Sequence, residues 1–477
     1  MAGGNRRIEL LIFVLATLVE AVLLGSLALG HGVNPDEGFY LAGAWRVLQG
    51  DRLYADFFFP QMPYLPYVQA VQIAVAGPSI VLSRMVSVIP GALTLGVLCT
   101  IAWRWSRKPA VVATVALAYA GHVIFWNYLT VTKTYGLANL WLVWAFVLIA
   151  SRSSSWRAAA AGLCGGLAIG TRLPAVAVVG VLFLWVARQA PRRAPIFAAG
   201  AVIGLLPCLW IASRDFDAFW FGNYGFHSLR RELTGVVAIL QQKVVTLGRW
   251  LFLPQNLVLW VGAGLGAWWG DARHRLALAC ALMLALAYLS ATPTYLEYTA
   301  QIIPFLLLAS LPVVPLLWSR RSWLLGVSGV YVFGLLFALR PAASESYRGR
   351  KLSLWRLDNV EQVANYLHRE AAPDDAVLSW WEGYPVLARR PGFGGVGFWE
   401  SNVAKKLDAE AQRRYHVRSR DQIKALVETG RPRLVVFPDG SWEDLVPVLA
   451  QGYQPVERFG ALQVYRRAGA LRSDEGE

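Results

Sequence analysis

The stretch His31-Gly-Val-Asn34-Pro35-Asp36-Glu37-Gly38-Phe39-Tyr40 sets two adjacent carboxylates a few residues beyond a long apolar run. A carboxylate held within hydrogen-bond reach of a hydroxyl can take its proton as a general base. The same spacing has a structural use. Asn34 suits a helix N-cap, Pro35 the first helical position and Glu37 the third-position partner of a capping box. Acids in a first turn also suit the helix dipole. The two uses are compatible, because a capped helix start fixes the direction of its acids. His31 reads as an exposed loop histidine.

A second set of candidates is cationic: Arg84, Lys133, Arg172, Arg230, Arg231 and Lys243, near the ends of apolar runs. Each reads either as a side chain snorkelling to lipid headgroups or as a membrane-edge cation with a function. Tyr295 and Tyr298 suit hydrogen-bond donors or an aromatic belt. Asp56, in Tyr54-Ala-Asp56-Phe57, fits either a site or simple turn chemistry.

The elements that must position these residues are membrane helices. The chain is 56% hydrophobic, and long stretches carry no charge. An apolar run of about 20 residues crosses a hydrocarbon core ~30 Å thick. Spans are expected near 8–29, 79–103, 109–126, 134–150, 157–172, 174–188, 195–213, 254–270, 276–292, 297–317 and 322–340. The first follows Arg6 and Arg7 as a signal peptide would. It is too long for an h-region and reads as an uncleaved helix.

The net charge of +15 is explained by its placement. Arg104, Arg107 and Lys108, then Arg152 and Arg157, Arg188, Arg192 and Arg193, Arg273 and Arg275, and Arg320 and Arg321 fill short gaps between spans. Such loops mark the cytoplasmic side, so no nucleic-acid partner is called for. About eleven crossings then leave the N-terminus cytoplasmic and everything after Arg340 outside. Pro60 to Gly77, rich in Pro and Tyr, reads as a helix in or dipping into the outer interface. Two long outer loops, 31–61 and 214–254, turn the functional surface outward.

Two domains are expected: a transmembrane catalytic domain over 1–340 and an extracytoplasmic α/β domain over 341–477. In the latter, Asn359–Ala371, Gln422–Glu428 and Trp442–Ala450 read as helices. Ala376–Ser379, Leu434–Phe437 and Ala461–Tyr465 read as strands alternating with them. Cys99, Cys164, Cys208 and Cys280 lie in apolar runs without metal-ligand spacing and read as small buried side chains. A divalent metal has no support from any such pattern.

Asp36-Glu37-Gly38-x-Tyr40, then Ala44-Trp45, Gly50, Tyr54-x-Asp56-Phe57 and Pro63, resembles the first outer loop of the bacterial polytopic glycosyltransferases of the C-type fold. These include protein O-mannosyltransferase-like, aminoarabinose lipid A transferase-like and rhizobial core galacturonosyltransferase-like enzymes. More loosely, Gly77 with Arg84, Gly170-Thr171-Arg172, and Tyr295-x-x-Tyr298 with Pro304 resemble further segments of that family. The resemblance implies sugar transfer from a polyprenyl-phosphate donor to an acceptor at the outer leaflet of the inner membrane, in cell-envelope biogenesis. The acceptor could be an envelope glycan, a lipid or a protein hydroxyl. It implies Asp36 as the base, with Glu37 in support. Asp56 is a weaker substrate-binding candidate, and the cations and tyrosines above are candidates for the donor phosphate.

One departure concerns the loop Asn127–Tyr135, where many relatives carry a second acid and this chain has none. That weakens a metal-bridged site and leaves Lys133 as counter-charge to phosphate. Two competing readings are a transporter or flippase of a lipid-linked precursor, and an inactive scaffold. The first lacks the internal repeat expected of it, and the outer-loop motif opposes the second.

Overall fold

The computed structural model describes residues 2–150, 154–230, 235–347 and 353–469. It is a polytopic helical membrane protein with a small C-terminal α/β region. A helix lies at each of the eleven expected spans, beginning with α1 (Ala2–Gly30). By length and composition, five helices among the described residues can cross a membrane, or six if one bent pair is a single span. Pro109–Ala120, Tyr135–Ala150, Ala175–Gln189 and Arg321–Leu336 are shorter apolar stretches. The bent pair, Val236–Phe252 and Pro254–Trp269, turns through 77°. Its first half falls within the expected outer loop 214–254, so much of that loop is helical.

The expected span 109–126 is broken into Pro109–Ala120 and Val123–Tyr128. The break occurs at Gly121-His122, and side chains satisfy its orphaned backbone groups, as helix ends require. His122 accepts from the Ile124 N–H at 3.3 Å. The Gln255 amide accepts from the Val123 N–H at 3.0 Å and donates to the Gly121 carbonyl at 2.8 Å.

The chain forms two compact units. The first comprises Met1–Gly30, Arg84–Trp210 and Arg231–Ala342. Its core is a continuous apolar cluster that includes Leu98, Phe146, Cys280 and Leu306. Within it, Gly162 and Gly166 on the helix Ser155–Thr171 face Gly200 and Gly204 on Ala194–Arg214. A methyl group at any of these four would overlap backbone of the opposite helix. Small residues four apart let two membrane helices approach closely, and here both helices carry them. Arg172 follows directly at the end of the first of these helices.

The second unit comprises His31–Ser83, Ile211–Arg230 and Ala343–Glu477. It contains α2 (Pro35–Leu48), which packs on α3 (Tyr64–Ala76), and the sheet. As expected, Pro60 to Gly77 is largely helical. α3 buries Leu65, Pro66 and Ile73 and exposes Val68, Val71 and Val75.

The strands run β1 (Val377–Ser379), β2 (Leu434–Pro438), β3 (Tyr453–Phe459) and β4 (Leu462–Arg467), in the sheet order β1-β2-β4-β3. β1 and β2 are parallel, and the other pairings are antiparallel. β2 is buried throughout and central, as its all-apolar sequence Leu-Val-Val-Phe-Pro suggests. β3 was not expected. It carries Pro455 and charged residues and lies at the sheet edge, where such residues are tolerated.

Candidate active site

In the second unit the acidic stretch forms the anticipated capping box at the start of α2. Asn34 Oδ1 accepts from the Asp36 N–H at 3.0 Å, and Glu37 Oε2 accepts from the Asn34 N–H at 2.8 Å. Glu37 is buried. Asp36 is half-buried, and its carboxylate lies near enough to Glu400 to act on it electrostatically.

The start of α2 is fixed from outside as well. The Trp381 indole N–H donates to the Pro35 carbonyl at 2.9 Å. Gly38 lies against the same ring, and a methyl there would overlap the indole nitrogen. The Val33 N–H donates to the Trp355 carbonyl at 2.6 Å. The segment carrying the acids is therefore tied at both sides of Asn34 to residues more than three hundred positions later.

Beyond Trp381 lie two further acids that sequence reasoning missed. Glu382 accepts from the Gly395 N–H at 3.3 Å. Burial first, then the Glu400 carboxylate, raises the Glu382 carboxyl well above the ordinary range, against an opposing pull from the Gly395 N–H and Arg46. Burial also raises Glu400. Asp36 adds to that effect, while the half-buried Arg230 works against it. The sequence Trp380-Trp381-Glu382-Gly383-Tyr384 was the available signal.

Asp56 is a turn residue. The Arg52 guanidinium grips it through Nε at 2.9 Å and NH2 at 2.7 Å, and the Arg52 N–H adds a third bond at 2.7 Å. The guanidinium holds its carboxyl down at about 2. The His31 ring lies 2.8 Å from the Gly32 carbonyl and is half-exposed.

In the first unit three tyrosines gather around Arg172, which is 8% exposed. Its Nε donates to Tyr288 at 2.7 Å, NH1 to Thr134 at 2.8 Å and NH2 to Tyr135 at 3.1 Å. The guanidinium also stands 4.2 Å from the Tyr135 ring centre and 5.5 Å from that of Tyr298. Tyr288 stacks on Tyr298 at 4.5 Å, and Tyr295 meets Tyr298 edge-on at 5.7 Å. Lys133 Nζ donates to Glu297 Oε2 at 2.8 Å, and Tyr135 donates to Glu297 Oε1 at 2.9 Å. Lys133, in the acid-free stretch Asn127–Tyr135, is thus paired with Glu297, a residue between the two singled-out tyrosines.

Arg84 is fully buried and donates to the Ala28 carbonyl near the end of α1 at 2.5 Å. Lys243 donates to Thr294 at 2.8 Å and to the Ala291 carbonyl. Arg231 lies outside the described residues. Among the described residues no three His, Cys, Asp or Glu side chains gather as a metal site would require.

Compared with solved structures, the chain is similar to ArnT from Cupriavidus metallidurans bound to undecaprenyl phosphate. The TM-score is 0.69 at 17% identity, over 97% of this chain and 99% of that one. The apo state of the same protein gives a TM-score of 0.66 at 17% identity, over 96% and 97%. ArnT is an aminoarabinose lipid A transferase of the C-type glycosyltransferase fold. No protein-family model matches the chain, and no curated protein matches it in sequence.

Proposed function

We propose, from a C-type glycosyltransferase fold shared along nearly the whole chain, that this protein transfers a sugar from a polyprenyl-phosphate donor to an acceptor hydroxyl. The carrying observation is the likeness to ArnT, solved with undecaprenyl phosphate, over 97% of the chain. Transfer would take place at the outer face of a bacterial inner membrane. The N-terminus would be cytoplasmic and the C-terminal α/β part extracytoplasmic, as the basic short loops require. The chain would divide its work between a transmembrane part ending near Arg340 and that α/β part.

A sugar phosphate already has a leaving group, so its anomeric bond breaks without a strong general acid. The reaction needs donors and cations that stabilise charge growing on the phosphate. Arg172 and Lys133, with Tyr298 and Tyr295, would fill this role, and Arg84 and the Arg230-Arg231 pair are further candidates. The sugar would pass through an oxocarbenium-like state, as in other glycosyl transfers. Asp36 would accept the acceptor hydroxyl's proton as the new glycosidic bond forms and polyprenyl phosphate departs. Glu37 would support Asp36 by closing the capping box. Asp56 would shape the loop through Arg52.

The test is transfer of labelled sugar from polyprenyl-phosphate donors by the purified chain and by Asp36→Asn. Transfer by the wild type, reduced about 100-fold or more in the variant, is the expected result. Undiminished turnover in Asp36→Asn would leave Asp36 only its place in the helix start. Movement of the lipid-linked donor across vesicles without sugar transfer would replace the enzyme reading with a transporter.

A further inference from the structure

Within the second unit, α2, the aromatic run Phe57–Pro60 and the end of β1 enclose a cavity of about 190 Å³. Its lining does not include Asp36, Arg172 or Lys133. Glu382, three residues beyond β1, and Glu400 both line it. So do Phe39, Trp45 and Phe393, each half-buried and so partly uncovered. Arg46 also lines it, with its guanidinium 4.6 Å from the Phe57 ring centre and its Nε bonded to Asp51 at 2.7 Å. The place is apt, since ligands of α/β sheets bind beyond the carboxyl ends of strands.

The lining chemistry narrows the ligand. Partly uncovered aromatic faces suit a flat apolar surface such as the C–H face of a sugar ring. The Glu382 and Glu400 carboxyl groups, with the Arg46 and Arg390 guanidinium groups in the same lining, supply both hydrogen-bond acceptors and donors, as clustered hydroxyls require. The lining guanidinium groups are already engaged, Arg46 with Asp51 and Arg390 with the Ala371 and His368 carbonyls, which disfavours an anion. Burial disfavours the ionised form of the two acids that an ammonium ion would need. A purely aromatic guest would leave the carboxyls unpaired at a cost. The size suits one ring.

We propose that this cavity binds a neutral sugar unit of the acceptor, gripping its hydroxyls through Glu382 and Glu400. The proposal deepens the glycosyltransferase reading by naming the acceptor as a glycan or glycolipid. Selection of acceptor is then a property of the second unit, where α2 also carries Asp36.

The test is saturation-transfer NMR on the full chain in lipid nanodiscs with methyl glucoside, methyl galactoside and methyl mannoside, and with glucosamine as the cationic comparison. At least one neutral glycoside is expected to bind. Its binding should weaken about tenfold in Glu382→Gln or Glu400→Gln, the scale of a lost hydrogen bond. Phe393→Ala, which leaves every carboxyl in place, should weaken it too, and tryptophan-monitored unfolding reports whether each variant is folded. Binding of glucosamine alone, no binding by the wild type, or equal binding by all folded variants would overturn the proposal. Hydrolysis of a polyprenyl-phosphate sugar by the wild type, assayed without acceptor, reports separately on the proposed reaction. Glycoside binding without any turnover of donor would sustain this site while removing the transferase reading.

Discussion

Asp36 and Glu37 are neighbours with different duties. The Glu37 carboxylate closes the capping box on the Asn34 N–H, whereas Asp36 contributes only its backbone N–H to that box. Glu37→Gln retains an acceptor at the third helical position and should change turnover only a few-fold. Glu37→Ala should lose about 1 kcal/mol of stability, a typical cap contribution. Comparing the two variants in thermal unfolding and in sugar transfer separates capping from chemistry. Arg172 shows the value of a planar fork, since its three donors meet three different hydroxyls. A lysine keeps the charge but not the fork. Arg172→Lys should therefore raise the KM for the lipid-phosphate donor about tenfold and leave that for the acceptor nearly unchanged. Equal effects on both would remove Arg172 from the phosphate role. The roles of single residues were legible where partners were close in sequence. Asn34, Asp36 and Glu37 announced a cap by spacing alone. Glu297 did not announce itself, because its partner Lys133 is 164 positions away.

Among elements, α2 depends most on a distant surface. Gly38 leaves room for the Trp381 ring, so Gly38→Ala should force the helix and the indole apart. Overpacking of this kind costs about 1–3 kcal/mol, and a lowered unfolding midpoint with loss of transfer would check it. The sequence marked α2 through its N-cap and proline, and β2 through its apolar run. It hid β3, whose Pro455 and adjacent charges Glu457 and Arg458 resemble a loop and whose pairing depends on β4. It also hid the break at Gly121-His122, because the composition there stays apolar and Gln255, which completes the break, lies 132 positions later. Periodicity reports a helix that ends by itself. It cannot report one interrupted by another segment's side chain.

For the molecule as a whole, the paired acids Glu382 and Glu400 couple stability to pH. Both carboxyls are raised on folding, so the folded state holds protons that the unfolded chain gives up at lower pH. The stabilisation is complete below the ordinary carboxylate range. It is lost progressively as pH rises from there toward about 8. Unfolding followed by tryptophan fluorescence should show a midpoint that falls across that interval, and Glu382→Gln should flatten the dependence. An unchanged slope in the variant would mean that other groups set it. A helix at each of the eleven expected spans could be read from hydropathy, because hydropathy is a count along the chain. The gathering of His31–Ser83 with Ala343–Glu477 could not, since it rests on pairs such as Trp381 with Pro35, 346 positions apart.

That tie between Trp381 and Pro35 sets the terms on which parts of this protein can be exchanged. A chimera that takes only the C-terminal α/β part from a relative would pair a foreign surface with the native Gly38 and Pro35, and α2 would lose its anchor. The transferable module is discontinuous: His31–Ser83, Ile211–Arg230 and the C-terminal part travel together. An exchange made along those borders should carry acceptor preference with it, leaving the lipid donor to be chosen by the helices that stay behind.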